Sequence, residues 1–74
     1  MFGTIEAIVS LTSFTLSVAR SHAAGYMTVK CTAVQGFTLP AWAEVGSEVW
    51  VKFTVNGDGV DVRGMRQVGK KVAA

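Results

Sequence analysis

One histidine, one cysteine and five carboxylates are the groups in this chain of 74 residues that could serve as a base near neutral pH or as metal ligands. His22 lies in Ser-His-Ala-Ala-Gly with no acid nearby in sequence, whereas a nucleophile–base pair needs its base held by a third group. Cys31 falls on the apolar side of an alternating run, where a thiol behaves as a small, inert hydrophobe. A lone cysteine forms no internal disulfide, and with a lone histidine it closes no Cys/His zinc site. The acids closest in sequence, Glu44 with Glu48 and Asp58 with Asp61, read as solvated pairs. Asn-Gly-Asp-Gly-Val-Asp from position 56 has the outline of a calcium loop, but the glutamate required at the twelfth place is Gln67 here. Arg-Gly-Met-Arg-Gln-Val-Gly-Lys-Lys (63–71) lacks the Ser or Thr that follows the lysine of a phosphate loop, since Lys70 precedes Lys71. These residues argue against an enzyme, and no motif calls for a cofactor.

The chemistry left is that of binding, and charge is distributed unevenly for it. Residues 1–62 hold three basic side chains against five acids, a net of −2, while residues 63–74 hold four and no acid, a net of +4. Arg63, Arg66, Lys70 and Lys71 thus form a basic C-terminal tail on a near-neutral domain. Such a tail suits phosphates, with affinity that falls steeply as salt rises. It equally suits a plain solubilising terminus.

Bulk composition speaks for association. A chain this short buries only about 60% of its unfolded surface when it folds alone. Yet 50% of its residues are hydrophobic, 16% are charged, and mean hydropathy is +0.40. A homo-oligomer is the expected way to cover the excess. The apolar stretch from Ala7 to Ala19 resembles a secretory leader, but no Lys or Arg precedes it and Glu6 does. It is also short of the ~20 residues that span a membrane as a helix. It reads as structure, and the free thiol suits a reducing cytoplasm.

The elements that must position any site are strands. In residues 4–11, Ile5, Ala7, Val9 and Leu11 are expected to share one face, and the parity then flips to Phe14, Leu16 and Val18. That shift predicts a bulge or tight turn at Thr12-Ser13. In 26–34 Met27, Val29, Cys31 and Ala33 share one face, and Tyr26, Thr28, Lys30 and Thr32 the other. Pro-Ala-Trp-Ala-Glu (40–44) predicts one short helical turn, with Pro40 in its first turn and Gly46 as its stop. Residues 48–55 point Val49, Val51, Phe53 and Val55 inward, Asn-Gly-Asp-Gly turns the chain, and Val60 and Val62 open the last strand. Strands this short hide their edges best by closure. The reading is all-β: a five-stranded OB-like or SH3-like barrel over 1–62, with a tail over 63–74.

Two stretches carry a family resemblance. Gly-Thr-Ile-Glu-Ala-Ile (3–8) and Val-Gly-Ser-Glu-Val-Trp-Val-Lys-Phe-Thr-Val (45–55), with Val-Asp-Val at 60–62, resemble the first and last strands of TOBE-type, molbindin-like domains. The resemblance spans roughly residues 3–62. It implies an OB-like barrel that binds an oxyanion at subunit interfaces, through backbone amides with Ser and Lys side chains. The Ser-Ala-Arg-Asn type of opening is absent, and Lys52 stands a position or two from the family's late-strand lysine.

If Val49 and Val51 face in, Trp50 and Lys52 face out, and by the same rule so do Tyr26 and Lys30. Rings interleaved with lysines suit single-stranded DNA or RNA, because bases stack on rings while lysines meet the backbone. The expected site is Tyr26, Lys30, Trp50 and Lys52 with Arg63, Arg66, Lys70 and Lys71. Exposed rings also suit a subunit interface. Three functions therefore stand: a nucleic-acid module, an oxyanion-binding oligomer, and an oligomeric protein-interaction module.

Overall fold

The computed structural model describes residues 1–20 and 24–70. His22 and Lys71 lie outside them. Five strands form: β1 (Phe2–Ser10), β2 (Ser13–Ala19), β3 (Tyr26–Ala33), β4 (Ser47–Asn56) and β5 (Gly59–Lys70). They close into a barrel in the order β1-β2-β3-β5-β4, with β4 returning to β1. Every pairing is antiparallel except β3 with β5. The small all-β barrel read from the alternation is the fold observed.

β2 keeps the strict two-residue rhythm, with Phe14 and Leu16 buried. β1 does not. Of Ile5, Ala7, Val9 and Leu11, expected on one inner face, only Ile5 is buried. The register slips between Ile5 and Ala7 and again between Ile8 and Ser10, so Glu6 and Val9 are extra residues in β1. Each bulge reverses the parity of the residues after it and adds the local twist that a tightly curved sheet needs. Ile8 thus stands across from inward-facing Phe14, while Ala7 stands across from Thr15. The flip anticipated near Thr12 is a two-residue turn, Leu11-Thr12, that joins β1 to β2.

β4 follows its pattern only halfway. Val49 and Val51 are buried, but Phe53 and Val55, expected inside, are exposed. They keep the inward register, across from buried Val62 and Val60. What they lack is a roof. β1 pairs with β4 only from Phe2–Thr4 to Glu48–Trp50, with Met1 and Val51 exchanging both backbone bonds beyond. Past Val51 the strand runs on with β5 alone. Their turn is Gly57-Asp58, with Gly57 at φ 62°. A positive φ at the first of two turn residues is the hairpin geometry that glycine adopts without penalty.

Residues 63–70, assigned to the tail on charge, are strand residues that continue β5 along β4. The predicted helical turn is a single turn: the Ala43 N–H donates to the Pro40 carbonyl at 3.0 Å, and no helix forms among the described residues. The 34–46 segment caps one end of the barrel. Its Leu39 is buried and its N–H donates to the Leu11 carbonyl at 2.8 Å, while Phe37 and Trp42 pack on the core from above. Gly46 returns the chain to β1 through the Ile5 carbonyl at 2.9 Å.

Candidate nucleic-acid interface

Trp50 alternates with buried Val49 and Val51 and is therefore held on the outer surface, 46% exposed. Its cross-strand neighbours define the site. On one side stands Phe2 of β1, 40% exposed, with ring centroids 5.7 Å apart and planes inclined at 58°. On the other side stands Arg66 of β5. Lys52, two residues along β4 and so on the same outer face, faces Gly64. A Cβ built on Gly64 would have Lys52 Cβ as its nearest neighbour, at 3.9 Å, so the missing side chain leaves open surface there. A shallow depression of about 440 Å³ results, lined by Trp50, Val51, Lys52, Gly64, Met65 and Arg66.

Of the eight residues expected to form the site, the barrel brings together Trp50, Lys52 and Arg66. Arg63 is exposed at the slip between Lys52 and Phe53, where it has no residue opposite. Lys70 lies at the end of β5, across from Ser47. Tyr26 shares the aromatic row but not the cationic surroundings. Ala19 pairs with Tyr26, and extending the Thr4–Ser17 register two residues puts Phe2 across from Ala19. Three strand spacings of ~4.8 Å then separate Trp50 from Tyr26, roughly 14 Å. Lys30 lies four residues further along β3, roughly 13 Å from Tyr26, and pairs with Thr15 on another part of the wall.

Tyr26 borders a groove of about 570 Å³ of opposite character, lined by Thr4, Ser17, Val45 and the carboxylates of Glu6 and Glu48. Glu6 accepts a hydrogen bond from Thr28 Oγ1 at 3.1 Å. The aromatic row thus has Glu6 and Glu48 on one side and Lys52 on the other, with Arg66 level with Trp50 and Asp61 further along across from Thr54, so a polyanion is repelled from the Glu6–Glu48 side.

Sequence reasoning missed Phe2. The signal was available: Phe2 continues the even, outward positions Thr4 and Glu6 back to the start of β1. Two further polar groups are committed to structure. Ser47 is buried, its Oγ accepting from the Glu44 N–H at 3.3 Å. Cys31 is buried, its Sγ donates to the Val29 carbonyl at 3.7 Å, and burial pushes its thiol up to about 11. Comparison with protein-family models, curated proteins and solved structures found no match to this chain.

Proposed function

We propose that this barrel is a non-enzymatic module that binds single-stranded nucleic acid on the outer face of β1, β4 and β5. The observation that carries the reading is the exposed Phe2–Trp50 pair, flanked by Arg66 and Lys52 around the hollow left by Gly64. Bases stack on the two rings, a contact that every base can make, so recognition is tolerant of sequence. Phosphates run along Lys52, Arg63 and Arg66, because Glu6 and Glu48 repel them from the other side of the row. The test is fluorescence anisotropy of labelled oligo-dT and oligo-U, from low to high salt. Binding at low salt that weakens linearly in log salt is expected; no binding at low salt would remove the reading. Thermal unfolding with sulfate and molybdate, run in parallel, separates it from an oxyanion site. Stabilisation by millimolar anion without oligonucleotide binding would put that alternative in its place.

A further inference from the structure

The outer face of β4 reads Glu48, Trp50, Lys52, because Val49 and Val51 between them are buried. An acceptor, a ring and a cation thus stand in one line along the strand. Side chains two apart on one face are ~7 Å from each other, so the line is roughly 13 Å long. Phe2 widens its middle on one side, and Arg66 stands on the other. Thr4 of β1 lies directly across from Glu48 and adds a hydroxyl to the acceptor end.

A nucleotide has the same linear order. Its sugar and phosphate lie at one end, the plane of the base in the middle, and the Watson–Crick edge furthest from the sugar. With the base on Trp50 and the phosphate on Lys52 or Arg66, that edge is turned towards Glu48. The reverse placement sets a phosphate against a carboxylate and is repelled. What arrives at Glu48 is therefore the edge of a base, and a carboxylate only accepts hydrogen bonds.

The bases differ at that edge. Guanine presents two adjacent donors, N1–H and the N2 amino group, which match the two oxygens of one carboxylate. Thymine and uracil place a single N3–H between two carbonyl oxygens, and these repel a carboxylate. Adenine and cytosine offer one amino group beside a ring nitrogen that accepts. Guanine alone fills both oxygens. Glu6 is the other carboxylate on this side of the row, but it lies on β1 beyond Thr4, and its Oε1 already accepts from Thr28 Oγ1 at 3.1 Å.

We propose that Glu48 reads guanine: one guanine stacks on Trp50 and donates N1–H and N2–H to the Glu48 carboxylate, with its backbone on Lys52 and Arg66. This preference rests on the nucleic-acid reading of the same surface and adds specificity at one position. Stacking elsewhere stays tolerant of sequence.

Anisotropy titrations at low salt test it, with labelled thymidine nonamers that carry guanine, hypoxanthine, adenine or thymine at the centre. The proteins are the parent, Glu48→Gln and Glu6→Gln. In the parent, guanine should bind about fivefold more tightly than thymine, the low end of what one bidentate base contact discriminates. Hypoxanthine keeps N1–H and lacks the N2 amino group, so it should fall between guanine and adenine. Glu48→Gln should abolish the preference, since an amide donates as well as accepts. Glu6→Gln removes the same charge and should tighten all four nonamers alike, leaving their ratios unchanged. Glu48 is half-buried and glutamine has its shape; should that variant lose its sheet by circular dichroism, the hypoxanthine comparison in the parent decides. Equal binding of all four nonamers by the parent overturns the guanine proposal and leaves the nucleic-acid reading standing. So does adenine on a par with guanine, or a preference that Glu48→Gln retains. Binding of none of the four removes both.

Discussion

Phe2 stands directly across from Trp50 on the neighbouring strand, with ring centroids 5.7 Å apart and planes at 58°. Carbon atoms in contact sit ~3.5–4 Å apart, so a base sandwiched between two rings needs a gap of ~7–8 Å between parallel planes. This pair leaves neither the gap nor the alignment. It is a tilted aromatic contact of the stabilising kind, and it presents both rings to solvent as a platform of two inclined faces.

The platform predicts a graded loss on truncation. Trp50→Ala and Phe2→Ala should each weaken oligonucleotide binding by about 1–3 kcal/mol, roughly 5- to 150-fold. Because each removes a neighbour the other leans on, the double variant should lose less than the sum. Anisotropy titrations of the three proteins measure this, and unchanged affinity in Trp50→Ala would contradict the platform.

Lys52→Gln and Arg66→Gln test the cationic side. Each should flatten the log–log salt dependence by about 0.7, the share of one phosphate contact on a single strand. Lys30→Gln, on a distant part of the wall, should leave the slope as it was. Equal effects from all three would mean that the cationic side chains act through net charge alone.

Two glycines make opposite predictions for the fold. A Cβ on Gly59 would lie 2.6 Å from the Lys30 carbonyl oxygen, where β3 and β5 close the barrel, while one on Gly64 meets nothing nearer than 3.9 Å. Gly59→Ala should destabilise by about 1–3 kcal/mol through overpacking. Gly64→Ala should fall within about 0.5 kcal/mol of the parent, as surface substitutions do. Urea unfolding of both variants checks the contrast.

Cys31 predicts a pH dependence. Burial raises its thiol to about 11 from a usual value of 9.0, so the native state holds a proton that the unfolded chain releases sooner. Stability from this group is complete below pH 9 and is lost as pH climbs towards 11. Melting temperatures across that window should fall more steeply for the parent than for Cys31→Ala. Alkylation of the thiol at neutral pH should be slow while the barrel is folded.

Much of this fold was legible because the two-residue rhythm of β2, β3 and the first half of β4 is undisturbed: Phe14, Leu16, Cys31, Val49 and Val51 all face in as read. The rhythm misleads where another strand decides the outcome. Alternation reports which way a side chain points, whereas burial also needs a neighbour to cover it, and β1 parts from β4 before Phe53 and Val55. The bulges at Glu6 and Val9 leave no local mark, because their cause is the curvature of the closed sheet. The site was half legible for the same reason. That Trp50 points outward follows from its own strand, but Phe2 and Arg66 become its neighbours only through pairings with residues far along the chain.

The long β4–β5 ribbon is stitched to the rest of the wall at two narrow seams, three residue pairs and the Met1–Val51 bonds to β1, and three pairs and the Val34–Val62 bond to β3. Opening both seams would uncover Val49, Val51, Val60 and Val62, four of the nine residues of the core cluster, so the ribbon parts from the wall only as the core itself comes apart. The aromatic row straddles one of the seams, with Phe2 on the frame and Trp50 on the ribbon, so any ligand gripping both rings would act as a clasp.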